Sequence, residues 1–425
     1  MCPENQSALR LEPENQKKTM FFWLSWGPGY KIGLMKRSDF NMQAAPGSLV
    51  EMEFEGEPGI AFVPHSPPDG RALKPVLAEC CVDLEAASSA VSRLQGLSEQ
   101  TPSGFNVNPW VLFRPLRLRE ARLSSRIEDT VASSQDIALA AIERLEREEP
   151  LEVQNYLAAA EIGAGLPRPM TEVDLRGLHQ RLLHGLADAG RKHPGRYRPG
   201  DVYIGDRSSG FRRARFVPPP APEVPRLMTE LVGYMRNPPA DLPKLIVAGI
   251  CHYQFETIHP FADGNGRLGR MLITQSICRF GLLESPLVYP SAAIDRTKQR
   301  YYDALNAVSL RGDWLGWISY FLTVIRESSE DALRMTGRLL DMREGILGKL
   351  SDSSLSQRVV AAVDFLFEQP VFTPAMLNER IGGATQTARN YIASFEDAGI
   401  LARLDERVKN PRYYAPEIIR LSDED

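Results

Sequence analysis

The sequence predicts a mainly α protein with one small β-hairpin and a C-terminal winged helix-turn-helix, and three observations carry that prediction. From Leu77 onward apolar residues recur at three- and four-residue steps, the spacing of one helix face. Extended sequence is concentrated at residues 202–217, on either side of the polar stretch Asp206-Arg207-Ser208-Ser209-Gly210. Residues 355–420 place three short helices before two short extended runs.

Composition sets outer bounds. With 425 residues, 43% hydrophobic and 24% charged, the chain can fold into two or three domains. Lys and Arg number 50 against 54 Asp and Glu, so no global field marks nucleic acid or an acidic membrane as partner. The cysteines Cys2, Cys80, Cys81, Cys251 and Cys278 lack zinc-site spacing and resemble no disulfide framework, which points to a reducing, cytoplasmic setting. The apolar cluster at residues 20–26 is cut by Gly27-Pro28-Gly29, too early for a membrane span or signal-peptide core.

Residues 1–45 show no period and are given no structure; residues 46–150 form an N-terminal helical region. In that region Pro64-His65-Ser66-Pro67-Pro68-Asp69-Gly70 reads as a loop joining short extended pieces. Leu77, Cys81, Leu84, Val91 and Leu94 mark its first amphipathic helix, followed by helices at 112–125 and 133–148, the latter capped by Ser133-Ser134-Gln135-Asp136. A core over 151–310 carries helices at 152–163, 171–188, 223–236, 242–257, 268–280 and 298–309. It also holds the hairpin 202–217, whose second strand is stopped by Pro218-Pro219-Pro220. A helical connector at 311–354 leads to the winged unit at 355–425, with helices at 355–368, 373–380 and 385–398 and wing strands at 401–404 and 412–415.

Polar chemistry gathers between two core helices, in His259-Pro260-Phe261-Ala262-Asp263-Gly264-Asn265-Gly266-Arg267-Leu268-Gly269-Arg270. Gly264-Asn265-Gly266 permits unusual backbone angles, so successive amides can converge on an anion at the start of the next helix, whose dipole adds attraction for phosphate. Arg267 and Arg270, three apart on that helix, are expected to point toward one phosphate ligand. Asp263 offers the hard oxygen that Mg²⁺ takes when phosphates and waters complete its shell. His259 is the side chain able to accept a proton from an attacking hydroxyl near neutral pH, and Phe261 is expected to pack beneath the loop. The set suits a metal–nucleotide complex.

The pattern His-x-Phe-x-Asp-Gly-Asn-Gly-Arg-x-x-Arg resembles the signature of Fic (filamentation-induced-by-cAMP) domain proteins, with every fixed position present. The resemblance implies a Fic-type helical bundle and protein adenylyltransferase activity, in which AMP passes from Mg²⁺-ATP to a Ser, Thr or Tyr hydroxyl of a target protein. By the same resemblance His259 is the catalytic base, Asp263 holds Mg²⁺, Gly264, Asn265 and Gly266 bind α- and β-phosphates with Arg267 beside them, and Arg270 reaches the γ-phosphate. Arg296, Tyr301 and Tyr302 fall where relatives place residues near the nucleotide. The hairpin 202–217 looks like the family's flap, which takes a target peptide as an added strand. Upstream, Ser124-x-x-x-Glu128 resembles the family's inhibitory motif, in which the glutamate pairs with the second motif arginine, here Arg270. Position 129 carries Asp where relatives have Gly or Asn.

Other readings stand beside these. His65, His179, His184, His193 and His252 read as structural histidines. Within the same chemistry, relatives remove AMP, transfer another phosphate-containing group or modify themselves, and dimers are common among them. A different class of function is a winged-helix regulator that only senses ATP. From residue 355 onward there are 8 basic and 11 acidic residues, so a protein contact is favoured over DNA for that unit.

Overall fold

The computed structural model describes residues 22–23, 34–100, 113–143, 145–166, 170–205, 210–350, 356–407 and 409–424. Several sequence expectations fall partly outside these residues, among them the apolar cluster at 20–26, the first residue of the helix at 112–125, position 144 of the helix at 133–148, the polar tip of the flap at 206–209, the end of the connector at 351–354 and the start of the helix at 355–368.

The N-terminal region opens with strand β1 (Phe22–Trp23) and an antiparallel pair, β2 (Gly47–Phe54) and β3 (Glu57–Pro64). The sequence reading had a loop with short extended pieces here; the structure has a hairpin of two eight-residue strands. Its turn is Glu55-Gly56, with φ of 51° and 83°, the pair of positive angles that matches the twist of a two-residue hairpin. Helices α1 (Lys74–Glu79), α2 (Cys81–Gln100), α3 (Arg114–Ile127) and α4 (Ser134–Ala140) follow. Ser133 caps α4 by accepting from the Asp136 amide, as its sequence indicates, but the helix stops at Ala140, well short of the expected 148.

The core comprises α5 (Glu149–Gly165), α6 (Glu172–Leu182), β4 (Ile204–Gly205), α7 (Val224–Arg236), α8 (Lys244–Ile258), α9 (Asn265–Arg279), α10 (Ser291–Arg296) and α11 (Lys298–Arg311). Thr171 and Asp174 form a reciprocal capping box at the start of α6. In α8 every residue except Lys244 and Glu256 is buried, the pattern of a helix surrounded on all sides, and it packs against α7 and α9. The loop that follows α8 is therefore held at both ends by the interior.

A single helix of 36 residues, α12 (Trp314–Lys349), spans the connector. It is started by the Asp313 carboxylate on the Gly316 amide and fastened to α8 by the Trp317 indole N–H donating to the Gly249 carbonyl at 3.0 Å. The C-terminal unit contains α13 (Gln357–Glu368), β5 (Val371–Phe372), α14 (Pro374–Ile381), α15 (Thr385–Asp397), β6 (Ala402–Arg403), β7 (Tyr413–Tyr414) and α16 (Pro416–Asp423). Its three strands form an antiparallel sheet in the order β5-β7-β6. Three helices and two strands lie where the sequence placed them; β5 and α16 are additional.

The flap is less regular than the sequence suggested. Ile204 bridges Phe216 in antiparallel fashion, but residues 211–213 make a 3₁₀ turn instead of a strand. Phe211 turns inward, stacked on Phe54 at 4.9 Å and edge-on to Tyr203, and that burial draws the segment out of extended geometry. The β2–β3 hairpin thus forms a small apolar core with the flap, reinforced by the Arg212–Glu57 ion pair and by the Phe62 amide donating to the Val217 carbonyl. On the flap's other edge, β1 runs parallel to β4, with Phe22 beside Ile204 and Trp23 beside Gly205.

Candidate active site

His259 caps the C-terminus of α8 in the left-handed conformation, φ 50° and ψ 59°, and is 3% exposed. The Arg198 guanidinium and amide fix this corner by donating to the carbonyls of His259 and Pro260, each at 2.9 Å. His259 Nδ1 lies 3.3 Å from the Glu256 carbonyl, which can only accept, so Nδ1 carries the proton and Nε2 is the basic nitrogen. Burial, helped by the nearby Arg198 charge, lowers the imidazole pKa to about 3. The ring is therefore neutral at physiological pH. Beneath it Phe261 is fully buried, stacked on His179 with centroids 3.8 Å apart.

The turn is closed by Asn265, whose side chain accepts from the Phe261 amide and donates to the Phe261 carbonyl. Gly264, at φ 79°, is the N-cap of α9 and needs the freedom of glycine. Gly266 does not take the unusual backbone angle the sequence suggested: it lies within the helix, and a Cβ there would come 2.1 Å from Glu128 Oε1, so its lack of a side chain serves close approach. The first amides of α9 point off the helix end, as an anion site requires.

Asp263 stands beside these amides. Its Oδ2 meets Lys192 Nζ at 2.8 Å; its Oδ1 accepts from the Gly264 amide at 2.6 Å and lies 3.4 Å from Arg267. Burial by itself would raise its pKa, but Arg267 and Lys192 outweigh that, and the carboxylate is held below its ordinary range. His179 supports the loop from behind: its Nδ1 accepts from the Gly195 amide, so its Nε2–H donates to the Asp263 carbonyl at 2.8 Å.

Arg267 and Arg270 do not converge as the sequence suggested. Arg267 turns to Glu152 at 2.7 Å and to Asp263, whereas Arg270 faces α3. There its guanidinium donates to Ser124 Oγ at 3.0 Å, the Ser124 carbonyl at 2.7 Å and Glu128 Oε1 at 2.9 Å. Arg270 is 1% exposed, and burial pulls its pKa down less than Glu128 and the acidic groups behind it push it up. Asp129 takes φ 64°, adopting the left-handed turn itself, with Lys298 3.4 Å from its carboxylate.

Residues 169–276 match the family model described as the Fic/DOC family, and residues 82–165 match that of the Fic/DOC family N-terminal region. Over these two stretches the chain is similar to Fic/DOC proteins. It is 32% identical over 188 residues to a probable protein adenylyltransferase of Aquifex aeolicus, covering 42% of this chain and 53% of that one. It is 29% identical over 184 residues to the protein adenylyltransferase fic-1 of Caenorhabditis elegans, covering 43% of this chain and 32% of that one. The chain thus spans about half the length, or less, of these curated relatives. A crystal structure of a Fic family protein from Desulfovibrio desulfuricans shares the fold, with a TM-score of 0.51 at 24% identity over 80% of this chain and 96% of that one.

Around the His259–Arg270 loop the remaining expected residues separate. Arg296 turns outward to Glu327 at 3.2 Å and is not brought to the loop. Tyr301 is buried and its hydroxyl donates to His252 Nε2 at 2.8 Å, because His252 Nδ1–H is spent on the Gly269 carbonyl. It supports the site from within the core. Tyr302, 5% exposed, sits with Glu256, Leu305 and Asn306 on one side and Ile204 and Phe216 of the flap on the other, lining a cleft of roughly 60 Å³.

Glu256 was not singled out by sequence. Burial raises its pKa to about 8, and Oε1 has no hydrogen-bond partner among the described residues. Arg198, Lys192 and His179 were likewise missed as parts of the site, since isolated residues in a loop or on a helix show no period. For a metal, Asp263 is a fitting donor: one carboxylate beside an amide nest is what Mg²⁺ uses when substrate phosphates and waters supply the rest. Such a metal would draw charge from the phosphate oxygens.

Proposed function

We propose that this protein is a protein adenylyltransferase that moves AMP from Mg²⁺-ATP to a Ser, Thr or Tyr hydroxyl of a target protein. The observation that carries this reading is a buried, neutral His259 with Nε2 as its basic nitrogen, at the mouth of a helix N-terminus flanked by Asp263, Arg267 and Arg270. The target oxygen attacks the α-phosphorus while its proton passes to His259 Nε2. The bond from that phosphorus to the bridging β-oxygen breaks, and pyrophosphate leaves. The turn Gly264-Asn265-Gly266 faces the α- and β-phosphates with its amides at Asn265 and Gly266, the Gly264 amide being held by Asp263 Oδ1, with Arg267 beside them and Arg270 as partner for the γ-phosphate. The cleft between flap and α11 takes the adenine, with Tyr302 on its wall.

In this reading the resting chain restrains itself. Glu128 occupies Arg270 and overlies Gly266, the place a γ-phosphate needs, so carboxylate and phosphate compete for one guanidinium. Ser124 braces the same arginine from the preceding turn of α3. The target docks along β4 of the flap, and self-modification and a homodimer belong to the same reading. The last unit is read as a winged helix-turn-helix that contacts protein. A cytoplasmic setting belongs to the same reading; Cys80, Cys81 and Cys251 are free thiols, and no helix among the described residues is long and apolar enough to cross a membrane.

Intact-mass measurement after incubation of the full chain with Mg²⁺ and ATP tests this. AMP attachment to the chain or to a lysate protein is expected, raised by Glu128→Gly and lost in His259→Ala. ATP bound with no mass added in any of these chains would leave only a sensing role.

A further inference from the structure

The Asp263 carboxylate has a resident cation. Lys192 Nζ sits 2.8 Å from Asp263 Oδ2 and 3.0 Å from Asp188 Oδ1, at the end of the 3₁₀ turn Ala189–Lys192. Its side chain is 17% exposed and that of Asp263 18%, so water screens the pair only in part. The opposite oxygen, Oδ1, is engaged by the Gly264 amide and by Arg267. Each oxygen of the carboxylate therefore already faces an N–H group or a positive charge.

The segment carrying Lys192 does not depend on this ion pair for its place. Three other fastenings hold it: Gly195 N–H on His179 Nδ1, Arg198 on the His259 carbonyl, and the Arg198 amide on the Pro260 carbonyl. The ammonium can thus leave Asp263 without moving the backbone. It also has somewhere to go, because Asp188, four residues earlier and 41% exposed, already shares it.

We propose that Lys192 is a built-in counter-cation for Asp263 that a divalent metal has to displace, so that metal loading is an exchange in which the ammonium withdraws to Asp188. This rests on the reading of Asp263 as the metal carboxylate. An ammonium and a metal at one oxygen repel each other, and a lysine stem of four carbons is flexible enough to yield. With the site empty, Lys192 spares the buried carboxylate from standing uncompensated. Its cost is weaker metal affinity.

The test uses the full chain, Mn²⁺ as probe and α,β-methylene-ATP as the uncleaved nucleotide, with free Mn²⁺ read by electron paramagnetic resonance. Lys192→Met is expected to tighten Mn²⁺ binding by roughly fivefold or more, as removal of a coupled competitor does. Asp188→Asn, which takes away the withdrawal partner, is expected to weaken it. Opposite shifts from two neighbouring substitutions are not what a merely structural role produces. If Lys192→Met fails to accumulate folded, Lys192→Gln carries the same expectation.

Unchanged or weaker Mn²⁺ binding in the Lys192 variant overturns the exchange. So does loss of nucleotide binding by the Lys192 variant in EDTA where the parent still binds, which would make Lys192 a direct phosphate ligand. An Asp263→Asn chain serves as the separate control: if it binds Mn²⁺ as the parent does, the metal assignment itself has failed, and the failure lies there and not with Lys192.

Discussion

At the scale of single residues, environment sets protonation here. His259 is neutral down to about pH 3, so the labelling rate is expected to show no acid limb between pH 5 and 8; a limb centred near 6.5, the value of a free imidazole, would contradict its burial. Glu256 works in the other sense. Its pKa of about 8 exceeds the 4.5 of an ordinary glutamate, so across that window the folded chain keeps a proton that the unfolded chain has released. Stability contributed by that proton is complete below pH 4.5 and is lost as pH rises toward 8. Glu256→Gln is expected to flatten this decline, measured as urea midpoints at several pH values. Gly266→Ala is a steric case: the added carbon would meet Glu128 Oε1 at 2.1 Å, and a loss of about 1–3 kcal/mol in unfolding free energy is expected from the forced shift.

At the scale of elements, the flap owes its position to a hairpin that the sequence did not announce. Phe54, on β2, contacts both Phe211 and Tyr203, so Phe54→Ala should free the flap to open locally. Faster limited proteolysis within residues 202–217, at little change in global unfolding, is the expected reading. The long helices and the His259–Arg270 loop were legible because a helix face repeats and because the loop's residue types have few common uses. The β2–β3 hairpin was not, since Glu55-Gly56 is a less familiar turn pair than Asn-Gly and the strands are interrupted by Pro58, Gly59 and Pro64. Nor could spacing reveal that Asn265 spends its side chain on Phe261, that Arg267 turns to Glu152, or that Lys192 arrives from 71 positions upstream of Asp263. These depend on tertiary placement. In the other direction, the strand expected over 211–217 yielded to burial of Phe211.

At the scale of the whole molecule, the restraint on Arg270 and the far end of the chain share one helix. Arg119 and Arg122 of α3 donate to the carbonyls of Glu424 and Asp423, and Arg338 of α12 pairs with the Glu424 carboxylate. The C-terminal unit is tied on by a buried pair as well, Arg343 to Asp364 at 2.6 Å. Asp364→Ala would take the buried carboxylate away from Arg343, and a cost of about 3–5 kcal/mol is expected, visible as a lower thermal midpoint. Finally, the flap edge along Ile204 and Gly205 is already in company, because Phe22 and Trp23 run beside it. On the proposed activity, a target protein docking there has to share that edge with Phe22 and Trp23 or evict them. A chain beginning after residue 33 should therefore accept a target peptide at lower KM with kcat unaltered, and equal KM values for the two chains would mean that newcomers bind elsewhere.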